Sequence, residues 1–512
     1  MPTAPLSYLL ADKPAGIPTH SPQPPREGFV EYLQRRRGQR LWVCHRLDSG
    51  TSGALVLARD EGAARHLTGL FAAGRVDKAY LLVSDRAPGR ESAATASRIE
   101  RRGKAFVSRD DAPHNAFTRF TLVRRRGRFA LWRAVPSSGR PHQIRLHARD
   151  LGLPILGDPL YGGAPFPRLM LHAERIGFAD AAGAPLVHAS SAPPLFNDLA
   201  LLEDAEYAAW LAALDRRDRL LGEEKTCRLI HREADGLRCD RFGETCWFYW
   251  YRPGAPDGPE SERLGRFAAA AGARHWTVRL MHNRGKRPQG SAPPQELPFS
   301  SWTATENGLL YRFKSDQGLS PGLFLDQRQN RSWVRERARG RSVLNLFCYT
   351  GGFSLNALAG GAAQVTSVDT SKRTLEWARD NFRLNGFDPE AEGVEFRALD
   401  ARLFLRGCRR RGRRFDLIVC DPPSFARTKE GAFRIERDLP ELARDLWEAL
   451  ETDGRALICC NYEKWDQAAF AAVLADALPQ AVLADAPPPD WDYELPGEEP
   501  LLKAAVLSKA GR

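Results

Sequence analysis

The 512-residue sequence lacks the features that target a protein to a membrane or to secretion. No run of 18 uncharged apolar residues occurs, so no membrane-spanning helix is expected. The opening segment MPTAPLSYLLADKPAG has no basic n-region and no long apolar stretch, so we expect no secretory signal and a cytoplasmic protein. The nine cysteines include no CxxC pair, so we expect reduced thiols and no metal site.

Lysine is also scarce, because only 11 of the 75 basic residues are lysine and the rest are arginine. Arginine suits phosphate recognition, since guanidinium binds phosphate in a bidentate fork, although a GC-rich genome would explain the same ratio. Genome composition explains the net charge of +12 less well. We therefore expect a polyanionic partner, and the sequence indicates no obligate protein partner.

The composition, with 43% hydrophobic and 27% charged residues, is that of a folded protein, and the length predicts about three domains. Residues 1–212 alternate short β-rich segments with Gly, Pro and Asp turns, which predicts a mixed, mainly antiparallel sheet. Residues 213–300 hold a linking helix and a small α/β domain. Residues 301–512 alternate strands and helices, which predicts a Rossmann-like parallel sheet. The fold class is therefore multidomain, combining α/β and α+β architectures.

The segment CHRLDSGTSGALVLA places Asp48 between two β-rich segments, where a carboxylate is often an ordinary cap. Further segments follow in order: KAYLLV, then SSGRPHQIRLHARDLGLPILGDPLYGG, then LMLHAERIGF. Together with the opening LLADKPAGIPTHSP, they closely resemble the RluA family of RNA pseudouridine synthases over residues 1–195. The family's small preceding RNA-binding domain has no counterpart here, so the usual mode of substrate capture is not expected.

The resemblance implies that this half converts uridine to pseudouridine and needs no cofactor. It makes Asp48 the catalytic carboxylate, either as a nucleophile towards the sugar or as a base, and Arg145 the cation that keeps it ionised. Tyr80 would stack on the uracil and assist proton removal at C5, and Arg46 would enter the base stack of the RNA as the base flips out. Core packing for Tyr80 and a solvated ion pair for Arg145 are the alternatives.

A second site is indicated by the segment SVLNLFCYTGGFSLNALAGGAAQVTSVD, which predicts a strand, a glycine turn, a helix and a strand that ends in acid. Glycine lets the backbone approach a ligand closely, and a carboxylate at the second strand's end can hold ribose hydroxyls. NAD-binding folds share a glycine-rich turn, so the turn alone is weak evidence, although its spacing is not GxGxxG and no phosphate-binding lysine follows. The candidate cofactor-binding residues here are Tyr349, Gly351, Gly352, Phe353 and Asp369.

The segment FDLIVCDPPSFARTKEG indicates which class of nucleotide-type site this is. A DPP sequence after a strand marks methyltransferases that act on nitrogen or nucleobases. Its carboxylate, Asp421, would lie between cofactor and target base, and Phe425 would stack on that base. A Pro-Pro strand terminator is the structural alternative.

Residues 225–510 resemble large-subunit ribosomal RNA methyltransferases that use S-adenosylmethionine. The resemblance includes GLSPGLFLDQRQNR, with Asp326, Gln327 and Arg328, and RALICCNYEKWD. It implies that Gly351 and Asp369 bind the cofactor and that Asp400 meets its adenine. The group's usual N-terminal PUA-type RNA-binding domain is missing, and the synthase segment stands in its place.

We therefore expect a bifunctional enzyme that modifies RNA, by resemblance ribosomal RNA, with arginine runs contacting phosphates. The runs are Arg35–Arg37, Arg124–Arg126 and Arg409–Arg411 with Arg413 and Arg414. Two alternatives remain: one half serves only as an RNA-binding module, or the methyltransferase acts on a small molecule.

The position of a cysteine indicates which atom is methylated, because methylating C5 of cytosine requires a thiolate that first attacks C6. An ungapped pairing with the C5-methylating branch of these enzymes puts Asn461 at the position of the nucleophile and Cys460 one residue before it. In a strand, the side chain of Cys460 would then point away from the base. Cys420 and Cys459 are further thiols near the site. The DPPSF sequence and Asn461 look more like the guanine-N7 branch of these methyltransferases, so the resemblance favours guanine N7 over cytosine C5.

Overall fold

The computed structural model describes residues 7–21, 27–86, 89–103, 105–222, 224–281, 296–317, 320–428, 431–493 and 500–509. The chain divides into two compact units, Met1–Gly222 and Glu223–Arg512. The polar loop proposed near residues 281–296 lies almost wholly outside the described residues. The finer division at 212 and 300 stays a prediction.

The first unit contains one large sheet with helices on it. Its strands are β1 Tyr8–Lys13, β2 Trp42–Val43, β3 Ser52–Ala58, β4 Asp77–Ser84, β5 Ser92–Arg102, β6 Ala105–Arg109, β7 Ala116–Arg126, β8 Phe129–Pro136, β9 Leu171–Ala179 and β10 Pro185–Ala189. Its helices are α1 Phe29–Arg37, α2 Glu61–Ala72, α3 Gln143–Asp150, α4 Pro194–Asn197 and α5 Ala205–Leu221.

The main path of this sheet runs β1-β3-β9-β4-β8-β7-β5-β6, with β2 beside β3 and β10 beside β9. The β3–β9 pair is parallel, and the other pairs are antiparallel. The prediction of a mixed, mainly antiparallel sheet is therefore confirmed. All seven residues of β3 are buried, so the loop before it, which carries Asp48, is attached to a fixed central strand.

The second unit begins with a small sheet of four strands in the order β11-β12-β13-β14. A helix with a capping box at Asp257 and Glu260 crosses between the parallel strands β13 and β14. A two-stranded ribbon, β15–β16, follows. The elements are β11 Thr226–Ile230, β12 Leu237–Phe242, β13 Thr245–Trp250, α6 Gly258–Ala270, β14 His275–Leu280, β15 Ser301–Glu306 and β16 Leu309–Lys314.

The rest of the second unit is a seven-stranded sheet in the order β19-β18-β17-β20-β23-β25-β24, with β21–β22 as a separate ribbon. The helices are α7 Arg328–Arg337, α8 Gly352–Ala359, α9 Lys372–Leu384, α10 Ala401–Arg411, α11 Ile435–Glu448 and α12 Gln467–Ala477. The strands are β17 Ser342–Leu346, β18 Gln364–Asp369, β19 Val394–Ala398, β20 Phe415–Cys420, β21 Phe425–Thr428, β22 Gly431–Arg434, β23 Leu450–Cys460, β24 Val482–Asp485 and β25 Lys503–Ser508.

Strands β17, β18, β19, β20 and β23 are parallel, as predicted, while β25 pairs antiparallel with both neighbours. Strand β17 lies between β18 and β20, so the strand order reverses there. In open parallel sheets, ligands bind at the carboxyl ends of the strands at such a switch point. No helix in the described part of the chain is long and apolar enough to cross a membrane.

Candidate active sites

In the first unit, the predicted residues line one cavity of about 420 Å³. Asp48 lies in the loop between β2 and β3, Tyr80 in β4 and Arg145 in α3, so three separate elements contribute to it. Arg46 also lines the cavity and its side chain is exposed. The structure thus brings together all four residues that the sequence assigned to this half.

Arg145 has two carboxylate partners, and the closer one was not predicted. Its Nε and Nη2 donate to the two oxygens of Asp158 at 2.7 Å each, whereas its Nη1 reaches Asp48 Oδ2 at 3.4 Å. The Asp158 side chain is 1% exposed and that of Arg145 13%. Asp158 therefore fixes the guanidinium beside the catalytic candidate, so Arg145 is not a solvated surface ion pair.

His142 also lines this cavity and contacts Tyr161 behind it. His142 Nε2 lies 4.0 Å from Asp48 Oδ1, and its Nδ1 is 2.7 Å from the Tyr161 hydroxyl. The Arg145 guanidinium lies over the Tyr161 ring at 4.9 Å. Burial lowers the pKa of His142, which favours a neutral imidazole near Asp48 at neutral pH.

Tyr80 lines the cavity beside Asp48, which fits a ring that packs on a flipped base. Burial, with the negative charge of Asp48, raises the pKa of the Tyr80 phenol well above its usual value. The hydroxyl therefore stays protonated at neutral pH and cannot itself accept a proton. These facts favour the stacking role over the role in proton removal, and both remain predictions.

In the second unit, a cavity of about 770 Å³ lies at the carboxyl ends of the parallel strands. Its walls include Tyr349, Gly352 and Phe353 after β17, and the carboxylates that follow or end β18, β19 and β20, namely Asp369, Asp400 and Asp421. Gly351 is not among the lining residues. It has φ +78°, and a Cβ there would lie 2.8 Å from Ala378 Cβ, so glycine allows the turn to pack on α9.

Asp369 stabilises the turn that follows β17 by accepting a hydrogen bond from its backbone. Its Oδ2 accepts from the Tyr349 backbone N–H at 3.0 Å, and its Oδ1 accepts from Ser371 N–H at 2.9 Å. Tyr349 has φ +48°, and this hydrogen bond supports that left-handed geometry. Asp400 has a second role as well, because it caps α10 by accepting from Arg402 N–H at 2.9 Å.

Asp421 lies close enough to Asp326 for the two carboxyl groups to interact, and the sequence did not predict this pair. Burial and the negative charge of Asp326 raise the pKa of Asp421 to about 7, and burial raises the pKa of Asp326 as well. Both residues line the cavity. Arg331 holds the Asp326 segment, since it donates to the Phe324 carbonyl at 2.8 Å and pairs with Glu306 at 2.6 Å.

Phe425 does not line this cavity, although its neighbours Ser424 and Ala426 do. Successive side chains of a strand point to opposite faces, and Phe425, at the start of β21, is 51% exposed. The expected stacking of Phe425 on the target base therefore has no support in this geometry. Phe324, which is 49% exposed, and Phe347 line the cavity instead, and no sequence motif had singled them out.

The three thiols considered for attack on cytosine are buried, and none is among the cavity-lining residues. Burial raises the pKa of Cys420, Cys459 and Cys460. Cys459 donates to Gln327 Oε1 at 3.6 Å, whereas Cys460 packs in the core on the other face of β23. Asn461, just beyond the strand, does line the cavity.

Several arginines of the predicted phosphate-binding runs already have protein partners. Arg35 pairs with Glu27 at 2.8 Å, Arg124 donates to the Phe196 carbonyl at 2.7 Å, and Arg413 pairs with Glu395 at 2.7 Å. Within the described ranges, no group of three or more His, Cys, Asp or Glu could hold a metal ion. The phosphate contacts remain a prediction.

The two units thus define two classes of site: a carboxylate–arginine pair on a mixed sheet, and a nucleotide-type pocket at the switch point of a Rossmann-like sheet. Residues 7–150 match the family model for RNA pseudouridylate synthase, and residues 262–477 match that for S-adenosylmethionine-dependent methyltransferase. Each unit therefore matches one family model, the first unit that for the synthase and the second unit that for the methyltransferase.

Curated relatives match the second unit. Ribosomal RNA large subunit methyltransferase I of Shewanella denitrificans is 34% identical over 259 residues, covering 49% of this chain and 64% of that protein. Ribosomal RNA large subunit methyltransferase K of Neisseria meningitidis is 45% identical over 152 residues, covering 29% and 42%. The chain thus spans less than two thirds of these relatives.

One solved structure has a similar fold. SMU.776, a candidate methyltransferase complexed with SAH, superposes with a TM-score of 0.51 at 24% identity. The match covers 66% of this chain and 88% of that one.

Proposed function

We propose that this protein is a bifunctional RNA-modifying enzyme that isomerises uridine with its first unit and methylates a base with its second. The observation that carries this proposal is that each unit holds its own complete candidate site. Ribosomal RNA is the proposed substrate, because the curated relatives of the second unit are named for it. A cytoplasmic location follows from that substrate.

In the first unit, the glycosidic bond between N1 of uridine and the sugar breaks, the base rotates and a C–C bond forms through C5. C5 then loses its proton and the freed N1 gains one, so the product is an isomer of the substrate. Asp48 serves as the catalytic carboxylate at the sugar. Arg145 lies 3.4 Å from this carboxylate, and Asp158 holds Arg145 in that position. The Tyr80 ring orients the base, and Arg46 fills the place that the base leaves.

In the second unit, S-adenosylmethionine supplies an electrophilic methyl group. The residues present fit this cofactor, because the cavity combines carboxylates at the ends of β18, β19 and β20, on both sides of β17, with apolar walls from Phe347 and Phe353. Asp369 would accept hydrogen bonds from the ribose hydroxyls. Asp421 and the DPP turn position the target base.

We propose guanine N7 as the methylated atom. Its ring nitrogen has its own lone pair and needs no covalent help from a thiol, whereas C5 of cytosine does. Asn461 on the cavity wall, with the three nearby cysteines buried, supports this assignment. Cytosine C5 is the alternative.

Covalent trapping of the protein on RNA distinguishes methylation at guanine N7 from methylation at cytosine C5. RNA carrying 5-fluorocytidine should form no covalent complex with the protein, and single Cys420→Ser, Cys459→Ser and Cys460→Ser variants should each retain methyl transfer. A trapped complex that one of these variants abolishes would establish cytosine C5 instead. The full proposal is tested with purified protein, ribosomal RNA and labelled cofactor, by mass analysis of the nucleosides formed.

A further inference from the structure

The β21–β22 ribbon beside the DPP turn has two chemically different faces. In its register Phe425 pairs with Arg434, Ala426 with Phe433 and Arg427 with Ala432. Ala426 and Phe433 line the methyltransferase cavity. Because side chains alternate along a strand, Phe425, Arg427 and Arg434 share the opposite, outward face. We call these three residues the outer ribbon face.

The outer ribbon face combines an aromatic ring with two cations. Phe425 is 51% exposed, and both arginines are exposed. The Arg427 guanidinium lies 5.8 Å from the Phe425 ring centroid and the Arg434 guanidinium lies 5.9 Å from it. Single-stranded nucleic acid binds to sites of this kind, where a base stacks on an aromatic ring and guanidinium groups contact the backbone.

The structure assigns the outer ribbon face as the binding site for the nucleotide that flanks the methylated base in single-stranded RNA. The inference rests on the proposed function, since it concerns the same substrate. The target base enters the cavity on one side of the ribbon, along Ala426 and Phe433, while its neighbour stacks on Phe425 on the other side. The ribbon thus separates two adjacent bases.

Three features of the ribbon favour a flanking nucleotide over the target base itself. Phe425 points away from the wall that Ser424 and Ala426 form, so it cannot contact a base inside the cavity. It lies four residues after Asp421, so the two positions are a short distance apart along the chain. Exposed guanidinium groups match backbone phosphates, and the protein carries a net charge of +12.

Steady-state methylation of large-subunit ribosomal RNA by the full-length protein tests this assignment. Stacking of one base contributes about 1–3 kcal/mol by alanine substitution, so Phe425→Ala should raise the KM for RNA about tenfold, with a much smaller change in kcat and in cofactor affinity. Phe425→Tyr keeps the ring and should restore the KM, whereas Phe425→Leu should not.

Salt dependence tests the two arginines. Binding of a fluorescein-labelled, mixed-sequence 12-nucleotide RNA should weaken in an Arg427→Ala/Arg434→Ala double variant. The slope of log Kd against log salt should fall by about 1.4, at about 0.7 per phosphate contact. The matched control, Arg339→Ala/Arg383→Ala, removes two exposed arginines elsewhere in the unit and should leave the slope unchanged.

The outcomes separate the inference from the proposed function. If Phe425→Ala lowers kcat and leaves the KM unchanged, Phe425 contacts the target base and the assignment is overturned. Wild-type KM and salt slope in the ribbon variants would overturn it as well. If the wild-type protein methylates no RNA, the proposed function fails, while the 12-nucleotide binding assay still decides whether the outer ribbon face holds single-stranded RNA.

Discussion

Asp158→Asn tests whether the buried carboxylate behind Arg145 positions the synthase site. The change keeps the size of the side chain and removes its charge, so Arg145 loses one of two charge-assisted hydrogen bonds at 2.7 Å. Asp48 then becomes the nearest carboxylate to a largely buried guanidinium. We expect Arg145 to move towards Asp48 and the carboxylate to lose its alignment with the sugar.

The size of the effect follows from burial. Removing one partner of a buried ion pair costs about 3–5 kcal/mol, and a retained amide oxygen offsets part of it, which leaves about 3 kcal/mol. At roughly 2–4 °C per kcal/mol for a unit of this size, the melting temperature of the first unit should fall by about 6–12 °C. At temperatures where the variant is still folded, pseudouridine formation should be slower by at least about tenfold.

Thermal unfolding and pseudouridine formation are measured on the same full-length preparation, with methyl transfer as the check that the second unit is folded. Asp150→Asn is the matched control, because Asp150 pairs with Arg149 at 2.6 Å on the surface and should change stability by less than about 1 kcal/mol. If Asp158→Asn melts and reacts like the wild type, the positioning role of Asp158 is wrong.

Three further predictions concern single carboxylates. Asp48→Asn should abolish pseudouridine formation and leave methylation intact, as measured by mass analysis of RNA treated with each variant; near-wild-type isomerisation would exclude Asp48 as the catalytic group. Asp369→Ala should weaken S-adenosylmethionine binding by about 1.5–3 kcal/mol for each ribose hydrogen bond lost, as measured by calorimetry, and unchanged affinity, or binding of NAD instead, would contradict the cofactor assignment. The pKa of Asp421 is raised from 3.8 to about 7, so between these values Asp421 holds a proton in the folded state that the unfolded chain has released. Its contribution to stability is therefore complete below pH 4 and is lost as the pH rises to 7. Asp421→Asn should flatten the fall of the melting temperature between pH 4 and 8, and an unchanged profile would refute this prediction.

The sequence predicted the strand ends of the methyltransferase sheet well, because strand-like and helix-like segments alternate there and the acidic residues stand at the ends of strand-like segments. Asp369 ends β18 and Asp421 follows β20 directly. Parallel strands end at the same edge, so the sequence order alone brings these carboxylates to one cavity. The synthase residues Asp48 and Arg145 were predicted through motif resemblance, since their sequence separation gives no physical signal of contact.

The residues that sequence reasoning missed depend on tertiary contacts. Asp158 and His142 stand inside a segment already recognised, but the pairing of Arg145 with Asp158 depends on how the chain folds back after α3. The charge of Asp326 acts on Asp421 across a long stretch of sequence. Phe425 was expected on the target base because it follows the DPP motif, whereas the β21–β22 ribbon, which turns its side chain outward, was not predicted.

The central claim is that one chain carries two independent RNA-modifying activities. Mass analysis of ribosomal RNA from a strain that lacks this gene tests it most directly. We predict that one pseudouridine and one methylated base disappear together, that the Asp48→Asn protein restores only the methylation, and that the wild-type protein restores both. Loss of a single modification, or of none, would contradict the account.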